Sequence, residues 1–184
     1  MNIETELTPN PETLKFVVGK EFIKNSNLEF KNEKEAKKYK FSESFYQIKG
    51  INSFFIGSNF VAVTKEKNAR WNLLKTKILT FLLDYISSNK VLVEKSVLEK
   101  KENGKKTKTV IEQKIEKVIN EKVRPAVAQD GGDIVFKNFD KGIVYLTLKG
   151  ACVGCPSSTA TLKQGIENLL KHYFDEVIEV RAID

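Results

Sequence analysis

Cys152-Val153-Gly154-Cys155-Pro156-Ser157 contains both cysteines of this 184-residue chain. The stretch lies between the β-branched run Ile143-Val144-Tyr145-Leu146-Thr147-Leu148 and a segment in which Leu162, Ile166, Leu169, Leu170 and Tyr173 recur at helical spacing. The first pattern predicts a strand and the second an amphipathic helix. Gly150 closes the strand, and Pro156, with no N–H and a fixed φ, suits the first turn of the helix. The cysteines are therefore expected at a helix N-terminus, where unpaired N–H groups and the helix dipole favour thiolate. Two-residue spacing brings both sulfurs to one side of the loop, and Gly154 lets the backbone approach what they bind. Soft metal centres held by thiolates usually take four sulfurs, and one chain supplies two. If all the ligands are protein, the working unit is a pair of chains.

Upstream of this loop, Thr109-Val110-Ile111-Glu112 fits a capping box, and Ile111, Ile115, Val118 and Ile119 share one helical face. Arg124-Pro125 predicts a bend or break, and Asp130-Gly131-Gly132-Asp133 ends the helical stretch with glycines able to take positive φ. Ile134-Val135-Phe136 and the run 143–148 predict an antiparallel hairpin around Asp140-Lys141-Gly142, with Val177 to Ile183 as a final strand. The order is α-β-β-α-β, an α+β domain over residues 109–184 of a size that folds alone.

The charge is uneven. Residues 1–108 carry 21 Lys+Arg against 13 Asp+Glu, and residues 109–184 carry 10 against 11, so the net +7 belongs to the first part. Much of the excess lies in residues 89–108, where Lys100, Lys101, Lys105, Lys106 and Lys108 surround Asn103-Gly104 and no aromatic residue occurs. That composition reads as a flexible charged linker, which as a coil spans about 25 Å r.m.s.. Without interleaved aromatics it does not read as a nucleic-acid site.

Residues 1–88 form the other small α+β domain. Thr8-Pro9-Asn10-Pro11 is an extended, turn-rich lead-in to a strand at Leu14–Val18, and one or two short helices are expected between Glu33 and Phe45. A hairpin follows, Ile51–Ile56 and Phe60–Thr64 around Gly57-Ser58-Asn59. From Asn68 as N-cap, Trp71, Leu74, Ile78, Leu82 and Tyr85 mark a helix, with Trp71 in the core rather than on a ligand platform.

No apolar run approaches the roughly 20 residues of a bilayer span, and the start, Met1 to Glu6, is acidic and unlike a signal or transit peptide. The expected location is cytoplasmic, without membrane attachment. In that reducing compartment a close cysteine pair is a metal or redox site rather than a structural bridge.

By itself the C-x-x-C spacing leaves iron–sulfur, zinc and dithiol redox chemistry open. Thioredoxin-like proteins place a cis-proline opposite the pair from later in the chain, and no proline follows Pro156. A zinc-bridged dimer satisfies four thiolates equally well. Ser157, Ser158 and Thr159 cap the helix or donate to sulfur; Asp130 and Asp133 read as carboxylates of a helix-ending turn, with positioning of a partner as the alternative. His172, the one histidine, has no ligand spacing to the cysteines.

Two stretches carry a family resemblance. Arg124-Pro125-Ala126-Val127-Ala128-Gln129-Asp130-Gly131-Gly132-Asp133-Ile134, followed by Gly150-Ala151-Cys152-Val153-Gly154-Cys155-Pro156-Ser157-Ser158-Thr159 and Thr161-Leu162-Lys163, resembles the C-terminal domain of the NifU-like, or Nfu, proteins. Thr8-Pro9-Asn10-Pro11 with Leu14-Lys15-Phe16, and later Phe60-Val61-Ala62-Val63-Thr64-Lys65 and Trp71, resembles the Nfu N-terminal domain. The resemblance implies a non-enzymatic iron–sulfur cluster carrier in which Cys152 and Cys155 of each of two chains hold one 4Fe-4S cluster. It implies a homodimer when loaded, upstream cluster scaffold proteins as donors and client apoproteins as acceptors. The cysteine-bearing scaffold and ferredoxin-like modules of full-length NifU are not in this sequence, so transfer or storage is the expected role.

Overall fold

A computed structural model describes residues 2–19, 21, 23, 27–88, 108–154 and 158–183. It shows two α+β domains. The expected linker, residues 89–108, lies outside the described residues except for Lys108.

The N-terminal domain is an antiparallel five-stranded sheet with helices on one face. Its strands are β1 (Ile3–Leu7), β2 (Thr13–Val18), β3 (Leu28–Phe30), β4 (Ile51–Ile56) and β5 (Phe60–Lys65), in spatial order β1-β2-β5-β4-β3. The expected strand and hairpin are present as β2, β4 and β5. β1 and β3 are additions; β1 alternates half-buried and exposed residues, and β3 has three residues, so neither carries a long apolar run.

Helices α1 (Glu33–Ala36) and α2 (Lys40–Tyr46) precede β4, and α3 (Trp71–Ser87) closes the domain. Leu74, Ile78, Leu82 and Ile86 form the buried stripe of α3, with Trp71 and Tyr85 half-buried against the same core. The α3 N-cap is Arg70 in extended backbone, with no side-chain cap bond, and not Asn68 as expected. Asn68 instead lies two residues before that cap, in a turn in which the Ala69 N–H donates to the Glu66 carbonyl.

Alternation along the strands divides their residues between two faces. Leu14, Phe16, Val18, Phe54, Ile56, Val61 and Val63 face the helices in one core. Phe55, Phe60 and Ala62 are equally buried but point the other way, with Val17 packed on them. That second face packs against the C-terminal domain: a Cβ added to Gly150 would stand 3.0 Å from the Phe55 ring, and one on Gly131 would stand 3.4 Å from Ala62 Cβ.

In the C-terminal domain the first helix has three parts. α4 (Val110–Val118) leads through a π-helical turn (Ile119–Val123) into α5 (Arg124–Gln129). The capping box is formed, with Thr109 N–H donating to the Glu112 carboxylate at 2.7 Å and Glu112 N–H donating to Thr109 Oγ1 at 3.4 Å. Pro125 has no N–H to donate, and its ring crowds the carbonyl four residues back; the wider π turn before it accommodates that conflict without ending the helix.

β6 (Gly132–Asp140) and β7 (Ile143–Gly150) pair antiparallel across Lys141-Gly142, both of which take positive φ as a tight hairpin turn requires. α6 (Ser158–Tyr173) then crosses over and returns the chain as β8 (Glu179–Ala182), parallel to β7. The observed order is the expected α-β-β-α-β. Ile115, Ile119, Val127, Ile134, Val144, Leu146, Ile166, Leu170 and Val180 are buried in its core.

Candidate functional site

Two separated stretches of sequence meet at one end of β6 and β7. Gly132 opens β6 opposite Gly150, which closes β7. The Ala151 N–H donates to the Gly131 carbonyl at 3.2 Å, and the Val153 N–H donates back to the Gly150 carbonyl at 3.0 Å, closing a tight turn. Both glycines are required by close approach. A Cβ on Gly132 would stand 2.5 Å from Cys152 Sγ; one on Gly150, where φ is +61°, would stand 2.6 Å from the Gly131 carbonyl oxygen.

Cys152 points inward. It is 5% exposed and belongs to the core of the C-terminal domain. Val153 and Gly154 are exposed. Cys155, Pro156 and Ser157 lie outside the described residues, as do the side chains of Ser158 and Thr159, so the expected cap of α6 and the second sulfur fall there. Beside Cys152 lies a cavity of about 500 Å³, lined by Val123, Val127, Leu162 and Ile166, with Pro9 of the N-terminal domain at its margin. Lys122, Asp130 and Cys152 itself also line it. Among the described residues, no three His, Cys, Asp or Glu side chains converge as a metal site.

The acidic glycine turn is differently built from the helix-ending pair of carboxylates expected of it. Asp130 ends α5, but Asp133 is a buried residue of β6, 3% exposed. Its carboxylate takes a bidentate pair of bonds from Arg124, Nε at 2.7 Å and Nη2 at 2.9 Å. The hydrogen bond to Asp133 is the chief cause that raises the Arg124 guanidinium above its ordinary pKa. Strand alternation turns Asp133 back toward the helix, something the glycine signal hides. His172 lies in the last turn of α6 with its ring against Tyr173.

Residues of the N-terminal domain complete the surroundings. The Asn10 side-chain amide donates to the Ala151 carbonyl at 3.4 Å and to the Val153 carbonyl at 3.2 Å, one on either side of Cys152. The Gly150 N–H donates to the Glu29 carboxylate at 2.9 Å. Lys15, 8% exposed, donates to the Gln129 carbonyl at 3.0 Å, where a cation meets the C-terminal end of α5. Asn27 donates to Asp133 at 3.0 Å. None of these contacts follows from sequence spacing, since each joins residues more than 100 positions apart.

Comparison with known proteins matches both parts. The family described as the NifU-like domain matches residues 115–181, and the one described as scaffold protein Nfu/NifU N terminal matches residues 3–90. The human NFU1 iron-sulfur cluster scaffold homolog, mitochondrial, is 37% identical over all of this chain, which spans 72% of that protein. NifU-like protein 4, mitochondrial, of Arabidopsis thaliana is 40% identical over 96% of the chain, which spans 64% of it. A solution structure of a NifU-like protein from Saccharomyces cerevisiae aligns with 52% of this chain and 86% of its own, at 24% identity and a TM-score of 0.47.

These relatives overturn the cytoplasmic location expected from the acidic first residues. Both curated relatives are named mitochondrial, and both are longer than the chain, so residues 1–6 were no guide to a compartment.

Proposed function

Because the chain belongs to the NifU-like family, with an Nfu N-terminal domain ahead of the NifU-like domain, we propose that it acts in iron–sulfur cluster assembly as a carrier. Cys152 and Cys155 of each of two chains jointly hold a 4Fe-4S cluster as cargo. It is received from upstream scaffold proteins and passed to client apoproteins. The proposed division is an N-terminal domain at 1–88, a charged linker at 89–108 and a cluster-binding domain at 109–184. On the example of the mitochondrial relatives, the compartment is the mitochondrion.

The observation that carries this reading is the joining of the Asp-Gly-Gly-Asp turn to the cysteine loop through the Gly131–Ala151 hydrogen bond and the Gly132–Cys152 contact. Those contacts make one structural unit of the family's two motifs. The thiolate count supplies the rest: two cysteines per chain are half of a four-thiolate set. A cluster shared at an interface is exposed to stepwise ligand exchange, in which an incoming client thiolate replaces a protein thiolate. Such transfer needs neither a general acid nor a general base from the protein.

Anaerobic reconstitution with iron and sulfide tests the carrier. About four irons and four sulfides per two chains, with a monomer-to-dimer shift on loading, are expected. Tight zinc without cluster formation counts against it, and metal-free catalytic disulfide reduction would identify a redox enzyme instead. Cys155→Ser should abolish both the cluster and the metal-linked dimer.

A further inference from the structure

Asn10 is placed for a role that the family motifs leave unassigned. It is 3% exposed, and its own turn fixes its amide. The Glu12 N–H donates to Asn10 Oδ1 at 3.0 Å, so the oxygen is occupied and the Nδ2 donors face outward. The backbone is held as well, by Thr13 N–H and Thr8 Oγ1, each donating to the Asn10 carbonyl at 2.9 Å. The rigid Thr8-Pro9-Asn10-Pro11 turn thus presents two oriented donors, which meet the carbonyls flanking Cys152.

We propose that the N-terminal domain is a latch on the cysteine loop, in which Asn10 and Glu29 hold the loop in the orientation that buries Cys152, and that this latch opens before the sulfur becomes available. The significance for cluster loading rests on the carrier reading above; the latch itself does not. Cys152 Sγ lies in the C-terminal core against Gly132, and the residue is 5% exposed. Turning it outward rotates the peptide groups on either side, whose carbonyls Asn10 holds, and pulls on Gly150, whose N–H Glu29 holds. The face behind these contacts is apolar: Phe55 lies against Gly150 and Ala62 against Gly131 of the other domain.

The test is the rate at which a maleimide modifies Cys152 in the metal-free 184-residue chain carrying Cys155→Ser, so that Cys152 is the remaining thiol. Asn10→Asp replaces two donors with a carboxylate facing two carbonyl oxygens, and Glu29→Ala frees the Gly150 N–H independently. Each is expected to raise the rate roughly tenfold. A variant whose N-terminal domain unfolded would lose the latch as well and must also react faster, provided the C-terminal domain retains its unfolding transition. Leu73→Ala, at a position 66% exposed on α3, is the control and should leave the rate unchanged. Rates equal to the parent in both latch variants overturn the proposal. Because no iron is present, a failed latch leaves the cluster reading untouched, and a failed reconstitution leaves the latch untouched.

Discussion

Gly132 and Cys152 occupy space that only a residue without a side chain leaves open: a Cβ on Gly132 would stand 2.5 Å from the sulfur and 2.9 Å from the Lys149 carbonyl oxygen. The backbone oxygen cannot swing away as a flexible side chain would, so the cysteine loop must shift. Gly132→Ala should therefore destabilise the C-terminal domain by about 2 kcal/mol, within the range of overpacked cores, and expose Cys152. Denaturant unfolding and thiol reactivity measure the two effects. An alanine variant of unchanged stability would show that the loop tolerates displacement.

The Arg124–Asp133 pair makes a second demand. Asp133 is buried while the Arg124 side chain is 39% exposed, so removing the carboxylate leaves a cation that water can partly reach. Asp133→Ala is expected to cost about 2 kcal/mol, below the figure for a wholly buried pair. In a domain of this size that is a fall of roughly 10 °C in Tm. Arg124→Lys should lose part of the same stability because a point cation cannot reproduce the two parallel bonds. Thermal unfolding that left either variant unaffected would refute the structural role.

Acid should weaken the start of α4. Hydrogen bonds from the Thr109 N–H and hydroxyl hold the Glu112 carboxyl below its ordinary value of 4.5. A depressed folded pKa stabilises above the unfolded value, and that contribution disappears as pH falls below about 4.5 and through the folded pKa. Glu112→Gln should therefore be less stable than the parent near neutrality and show a smaller loss on acidification. The difference is well under about 1 kcal/mol at this exposed site. Parallel pH titrations of stability for the two chains would check it; identical slopes would count against the capping contribution.

Phe54 is fully buried among aromatic rings of the N-terminal core. Its ring stacks on Phe30 at 4.8 Å between centroids and meets Phe45 edge-on at 4.9 Å. Phe54→Ala should cost about 4 kcal/mol through lost transfer energy and the cavity left behind. Phe55→Ala, on the opposite face, removes contact with Gly150 and should loosen the association of the domains as well. Comparing the unfolding transitions of the two variants distinguishes them: similar effects on both domains from each would deny that the sheet has two different partners.

The amino-acid pattern determined most of the secondary structure by itself. The α3 stripe, the Thr109 capping box and the Lys141-Gly142 hairpin were legible because each rests on residues within a few positions of one another. The cysteine pair itself was visible for the same reason, both residues lying within four positions. Short or mixed-polarity β1 and β3 were not, since their neighbours in the sheet supply what their own residues lack.

Tertiary structure alone decided the direction of Cys152, the burial of Asp133 and the covering of the second sheet face. An apolar run such as Phe54-Phe55-Ile56 reports that both sides of a strand are buried, but not which partner covers each. Asn10 likewise reads as an ordinary turn residue until its amide is found between the carbonyls of Ala151 and Val153. Local preference is encoded in adjacent residues, whereas contacts across 141 positions depend on how two folded surfaces fit.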